Sequence, residues 1–130
     1  MKGVHRMSDQ TMKKDNGKPR WDLLPLQCIE GMVKVLTFGA AKYEDDGWKK
    51  LMVDDEGYQR VVASARRHQL AIERDGILAL DLNATGEIDE DHSGLPHIDH
   101  LQCCVMFIKY YQLYLAGELS HTPNGTLVID

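Results

Sequence analysis

The chain has 130 residues, with 20 acidic and 15 basic side chains and a formal net charge of −5. A content of 43% hydrophobic and 27% charged residues is typical of one globular domain, and the acidic balance argues against a general nucleic-acid-binding protein. No stretch approaches the roughly 20 apolar residues that span a bilayer, and the N-terminus has no apolar signal core, so we expect no membrane partner and a cytoplasmic location.

The first predicted helix covers residues 25–43 and follows a polar segment, 1–16, that predicts a flexible N-terminal arm. Pro25 suits a first helical turn, where its missing N–H costs nothing. Apolar residues recur every three or four positions and form one stripe: Leu26, Ile29, Val33, Leu36 and Ala40.

The second predicted helix covers residues 58–74, after a loop over 44–57 that is rich in Asp, Gly and Lys. Its apolar face carries His68, and Gly76 suits its C-terminal end. Residues 77–82 fit either a short helix or an extended segment, and residues 83–94 form an acidic loop.

The third predicted helix covers residues 95–116 and is apolar nearly all round, since residues 103–108 form an unbroken apolar run. Such a helix must be buried on several sides, which three helices hardly achieve. The sequence therefore predicts an all-α helical bundle over 17–116, completed by a second copy of the chain. A C-terminal tail over 117–130 ends in a short extended strand at 127–129.

The three cysteines, Cys28, Cys103 and Cys104, all fall in apolar periodic segments. Their number is odd and no Cys-x-x-Cys pair occurs. Buried free thiols are therefore predicted, in keeping with a cytoplasmic location.

Carboxylates and histidines are concentrated before the third predicted helix, where His97 and His100 lie three residues apart and face the same way. Oxygen and imidazole groups that converge in this manner suit Mg²⁺ or Mn²⁺. A solvated acidic loop with two helix-capping histidines is the alternative. The candidate ligands in this cluster are Glu87, Asp89, Asp91, His97 and His100.

Two further candidates lie on the first and second helices. Glu30 borders the apolar stripe of the first helix and is either a metal ligand facing the core or an ion-pair partner of Lys34. His68 is either a catalytic group or a core histidine. Arg67 offers a planar set of donors suited to phosphate, or is simply solvated.

Cations and aromatic rings are concentrated near both ends of the first helix. This combination suggests a nucleotide, with its phosphates neutralised by charge and its base stacked on a ring. The alternative is that at least one tryptophan merely seals the edge of the core. Candidate nucleotide-binding residues are Lys18, Arg20, Trp21, Asp22, Lys42, Tyr43, Trp48 and Arg67.

The order of several motifs resembles the dATP/dGTP diphosphohydrolase domain of phages and bacteria, the MazZ-like relatives of the MazG nucleotide pyrophosphohydrolases. The resemblance covers about residues 14–115. It is carried by Gly17-Lys18-Pro19-Arg20-Trp21-Asp22-Leu23-Leu24-Pro25, Val35-Leu36-Thr37-Phe38-Gly39-Ala40-Ala41-Lys42-Tyr43, Trp48, Arg67-His68 and Ser93-Gly94-Leu95-Pro96-His97-Ile98-Asp99-His100.

The resemblance implies a dimer or tetramer of helical bundles. It also implies Mg²⁺- or Mn²⁺-dependent hydrolysis of a purine deoxynucleoside triphosphate to the monophosphate and pyrophosphate, in the host cytoplasm if the gene belongs to a phage. MazG-type enzymes carry carboxylate-rich motifs on their helices, whereas the first predicted helix of this chain offers only Glu30. The remaining ligands would come from the acidic loop and the two histidines.

The sequence thus favours a nucleoside triphosphate pyrophosphohydrolase with Glu30, His68 and His97 as candidate catalytic groups. A nearby carboxylate or imidazole would accept the proton of the attacking water. One alternative is a binding protein that sequesters a nucleotide or nucleotide signal without hydrolysis. The other is a purely structural helical oligomer.

Overall fold

The computed structural model describes residues 17–119, and helices form most of this part of the chain. A 3-10 turn at Trp21–Leu23 precedes α1 (Gln27–Lys42), α2 (Gly47–Leu51), α3 (Asp55–Asp75) and α4 (His97–Ala116). Between residues 17 and 119 there is no β-strand, only isolated bridges of Leu80 with Pro96 and of Asp89 with His92. The predicted all-α class is confirmed. The predicted arm over 1–16 and the strand at 127–129 lie outside the described residues.

Helix α3 begins three residues earlier than predicted because Asp54 caps it. The Asp54 Oδ1 atom accepts a hydrogen bond of 2.8 Å from the Gly57 backbone N–H, a typical N-cap contact. A Cβ atom on Gly57 would overlap the backbone carbonyl oxygen of Leu51, so only glycine lets α3 start directly against the end of α2. The helix ends at Gly76, where φ is +98°, as predicted.

The prediction of a loop over residues 44–57 is wrong in its middle, where α2 forms. A five-residue helix has little stability of its own and needs tertiary packing. The Trp48 ring provides that packing, because it stacks on Phe107 with ring centroids 4.5 Å apart and meets Tyr110 edge-on at 4.9 Å.

Helix α4 is the central element, since it packs along α3 and also against α1. Its Cys103 and Cys104 are buried, and Met52, Val61 and Ala71 complete the buried hydrophobic residues of the described chain. In contrast, α1 contains no buried residue. It approaches the start of α4 closely, because a Cβ atom on Gly31 would overlap the Asp99 carboxylate.

Residues 17–119 leave much apolar surface uncovered. At the N-cap of α1, Leu26 is 72% exposed, and on α4 Val105 is 57% exposed. The prediction that all three thiols are buried is wrong for Cys28, which is exposed because no element within residues 17–119 covers that part of α1. No helix within residues 17–119 is long and apolar enough to cross a membrane.

Candidate functional site

A wide groove of about 1290 Å³ runs between the C-terminal half of α1, α2, the middle of α3 and the first turns of α4. Groups that can carry charge meet aromatic rings along it, which is the combination predicted for a nucleotide site. Its lining includes Lys42, Tyr43, Trp48, Arg67, His68, Asp81, Asp91, His97, His100 and Phe107.

Three histidines of α3 and α4 form the most tightly connected part of the groove. The Nδ1 atoms of His68 and His97 lie 2.9 Å apart, within hydrogen-bond distance. The ring of His68 also stacks on that of His100, with centroids 4.6 Å apart and planes inclined by 12°. The sequence predicted that His97 and His100 of α4 face the same way, and in the structure the ring of His68 on α3 contacts both of them.

Burial governs the protonation of these imidazoles. It lowers the pKa of His68 to about 4, and the neighbouring rings of His100 and His97 act in the same direction. Burial also lowers the pKa of His100, an effect that the negative charge of Asp81 opposes. His68 is therefore neutral at pH 7 and retains a nitrogen lone pair.

His100 is held from the loop by Ser93 and Asp81, two residues that the sequence analysis did not select. The Nε2 atom of His100 lies 2.6 Å from Ser93 Oγ and 3.5 Å from Asp81 Oδ2. For Asp81 the sequence signal was only a carboxylate between Leu80 and Leu82, in a segment whose structure the sequence left undecided, whereas Ser93 begins the motif that ends at His100.

The cationic part of the groove depends on a contact between distant parts of the chain. Lys42, at the end of α1, donates a hydrogen bond of 2.7 Å from Nζ to Asp91 Oδ1 in the acidic loop. This hydrogen bond raises the pKa of Lys42 above its ordinary value, so the amine stays charged. Arg67 lines the same groove from α3, immediately before His68.

The predicted aromatic residues separate into two groups. Tyr43 and Trp48 line the groove, although the stacking of Trp48 on Phe107 also seals the core edge. Trp21 is 79% exposed and lies outside the groove lining. Lys18, Arg20 and Asp22 are not groove residues of the single chain either, and Arg20 pairs with Asp22 at 2.6 Å between Nη2 and Oδ2.

The predicted metal ligands of the acidic loop each have other partners. Asp89 Oδ1 lies 2.8 Å from His92 Nδ1, and hydrogen bonds from His92 and Asn83 lower the pKa of Asp89 to about 2. The carboxylate of Glu87 accepts a bond of 2.8 Å from Thr85 Oγ1. Asp91 is paired with Lys42.

Glu30 is exposed on α1 and is not part of the groove lining, which contains the histidines. Across residues 17–119, no three His, Cys, Asp or Glu side chains are grouped so that they could hold a metal ion. The donor chemistry suits Mg²⁺ or Mn²⁺, but within one chain the candidate ligands do not converge.

Comparison with known proteins gives one clear result. A model of the family described as "dATP/dGTP diphosphohydrolase, N-terminal" matches residues 8–118, which include every groove residue. Searches among curated proteins and among solved structures found no significant match. The family match agrees with the resemblance seen in the motifs around Trp21, His68 and His97. The chain belongs to the family of dATP/dGTP diphosphohydrolase N-terminal domains.

Proposed function

We propose that this protein hydrolyses a purine deoxynucleoside triphosphate to the monophosphate and pyrophosphate, with Mg²⁺ or Mn²⁺. The observation that carries the proposal is the groove itself, in which Lys42 and Arg67 meet three imidazoles, one of them neutral at pH 7. Cations and proton acceptors in one cavity are what the cleavage of a phosphoric anhydride requires.

The cationic groups would bind the phosphates. Arg67 offers up to five N–H donors in a plane, which match phosphate oxygens, whereas Lys42 acts as a point charge. Lys42 would exchange the Asp91 carboxylate for a phosphate oxygen, since both are anionic acceptors. The base would contact Tyr43 or Trp48 at the same end of the groove.

The imidazoles would handle the proton. A water molecule attacks the α-phosphorus, the bond from that phosphorus to the bridging oxygen breaks, and pyrophosphate leaves with the bonding electrons. The proton of the water passes to an imidazole, for which the candidates are His68, neutral at pH 7, and its neighbour His97. Burial raises the pKa of the Cys103 thiol to about 12, so this groove residue stays protonated and is not the nucleophile.

The metal is part of the proposal, but no step is assigned to it because the candidate ligands of one chain lie apart. Asp91 lines the groove with the histidines but is paired with Lys42, whereas Glu30, Glu87 and Asp89 lie outside the groove lining and would contribute if another copy of the chain brought them near the histidines. The uncovered apolar residues Leu26, Val33 and Val105 support such a homo-oligomer, since exposed apolar patches commonly mark subunit contacts. Light scattering coupled to size-exclusion chromatography measures this oligomeric state directly.

The deciding assay is pyrophosphate release from a panel of deoxynucleoside triphosphates, with Mg²⁺, with Mn²⁺ and with EDTA. We expect release from dATP or dGTP with metal and none with EDTA. Arg67→Ala should raise KM, while Arg60→Ala on the same helix should not, because Arg60 pairs with Glu56 and lies outside the groove lining. Failure of every nucleotide to release pyrophosphate would refute the proposal. Stabilisation by nucleotide that persists in EDTA would then indicate a binding protein.

A further inference from the structure

We propose that Asp81 is a positioning residue, which acts through Ser93 to hold His100 in the tautomer with its hydrogen on Nε2. The Nδ1 atom of His100 is then the nitrogen presented to a ligand. This inference rests on the proposed function only for its effect on turnover, because the tautomer itself is a property of the free protein.

The loop that contains Asp81 is hydrogen-bonded to the segment that leads into α4. The Asp81 Oδ2 atom accepts hydrogen bonds from the Ser93 backbone N–H at 3.1 Å and from Ser93 Oγ at 3.3 Å. Its backbone N–H donates to Leu95 O at 2.9 Å, and its carbonyl oxygen accepts from the Gly94 N–H at 2.8 Å. These contacts fix both the carboxylate and the serine relative to His100.

The position of the hydrogen follows from which groups can donate. Ser93 Oγ already accepts from the Leu95 N–H at 3.1 Å, and it has one hydrogen to donate. A carboxylate accepts hydrogen bonds, so the contacts of Ser93 Oγ with Asp81 and with His100 can both be hydrogen bonds only if the hydroxyl hydrogen points to Asp81. The 2.6 Å contact of Ser93 Oγ with His100 must then use a hydrogen on Nε2.

Electrostatics favours the same assignment. The Asp81 Oδ2 atom lies 3.5 Å from His100 Nε2, and both side chains are 13% exposed. A nitrogen lone pair at that distance from a carboxylate would be repelled, whereas an N–H is attracted, and low exposure strengthens the difference. A carboxylate that orients a histidine through its second nitrogen is a common way to fix a tautomer.

The other nitrogen of His100 remains available. Within residues 17–119, no hydrogen bond involves His100 Nδ1. Every side-chain nitrogen or oxygen in that range that is buried from solvent has a hydrogen-bond partner, so the unpartnered Nδ1 atom of His100 is accessible to solvent. Because the ring also lines the groove, Nδ1 can reach a ligand there.

The contact between Ser93 and His100 is not a nucleophile with its base. In such a pair the orienting carboxylate bonds the far nitrogen of the imidazole. Here the carboxylate lies on the serine side, where it holds both the N–H and the Oγ of Ser93.

The direct test is a long-range ¹H–¹⁵N NMR spectrum of the imidazoles in the ¹⁵N-labelled full chain. In the wild type, His100 should carry its hydrogen on Nε2. Asp81→Asn, which removes the charge at equal volume, and Ser93→Ala, which removes the hydroxyl, should each move hydrogen towards Nδ1. Glu56→Gln is the charge-matched control, since Glu56 pairs with Arg60 on the exposed surface of α3, lies outside the groove lining and should leave His100 unchanged.

A second measurement separates positioning from simple loss of structure. With a hydrolysed nucleotide, Asp81→Asn should reduce kcat by about 10–100-fold with little change in KM, the range seen for residues that orient a functional histidine. A hydrogen on Nδ1 in the wild type, or an unchanged tautomer in both variants, would overturn the inference. Since the spectra need no turnover, this result is independent of whether any nucleotide is hydrolysed.

Discussion

The α3–α4 half of the molecule and the α1 half contribute to the same groove but are held in very different ways. The histidines lie on two helices whose buried residues Val61 and Cys104 form a core cluster with Met52, and a hydrogen-bonded loop supports one of the histidines. Lys42 lies at the end of a helix that buries no residue, and its partner Asp91 has a side chain that is 68% exposed.

Under the proposed function, this difference suits the two halves to separate tasks. Groups that transfer protons must be fixed in advance, because small displacements of a proton acceptor cost rate. A cation that binds phosphate must instead change partner when the ligand arrives. An exposed ion pair, which contributes little to stability, is suited to that exchange.

The largest expected effect tests the packing behind this comparison. Met52 is fully buried, and Met52→Ala should lower the free energy of unfolding by about 2–5 kcal/mol through lost contacts and a cavity. Leu26→Ala, at the N-cap of α1, should lower the free energy of unfolding by less than about 0.5 kcal/mol, because Leu26 is exposed in the single chain. Urea denaturation measures both. A large loss for Leu26→Ala at concentrations that favour association would mean that a second copy covers α1.

An effect of intermediate size is expected for the stability of the α3–α4 half at acidic pH. The pKa of His68 is about 4 in the folded chain against an ordinary 6.5, so protonation favours the unfolded chain. Above pH 6.5 the ring is neutral in both the folded and the unfolded chain and causes no loss of stability. As the pH falls from 6.5 to 4, the free energy of unfolding should decrease by on the order of 1–3 kcal/mol, because only the unfolded chain readily takes up the proton.

Urea midpoints between pH 7 and pH 4 measure this loss, with His68→Gln as the control. The variant should lose less stability over that range because it has no imidazole to protonate. Parallel pH profiles for the two proteins would contradict the assignment to His68.

The smallest effect concerns the exchangeable ion pair. Asp91→Asn frees Lys42 and should tighten binding of inorganic tripolyphosphate in EDTA by less than about tenfold, because exposed ion pairs are weak. Added salt should reduce the gain. Isothermal titration calorimetry gives the affinities, and Asp45→Asn, a groove carboxylate outside this pair, is the control. Weaker binding by Asp91→Asn would show that Asp91 supports the anion site instead of competing for Lys42.

The sequence predicted the long helices because their apolar periodicity and end signals are local. It also predicted His68, Arg67 and Lys42 as site residues, and these three line one groove. It missed α2, whose stability depends on contact of Trp48 with a residue far along the chain. It missed Asp81 for the same reason, since the role of that carboxylate appears only when the loop folds onto α4.

The predicted metal ligands also included residues that do not come together within the described part of one chain. Residue type and spacing indicated Glu30, Glu87 and Asp89 as ligands, but spacing does not fix which loop carboxylates turn inward. Asp89 instead bonds His92 and Asn83 within its own loop. Such local bonds compete with metal binding, and periodicity cannot reveal them.

The short contact between His68 and His97 has a consequence for the groove surface. Each neutral imidazole has one hydrogen for two nitrogens, and Nδ1 atoms 2.9 Å apart need a hydrogen from one ring and a lone pair from the other. The two Nε2 atoms must therefore differ, one bearing a hydrogen and the other a lone pair. Two chemically identical side chains of the groove thus carry unlike groups, a hydrogen-bond donor at one Nε2 atom and an acceptor at the other.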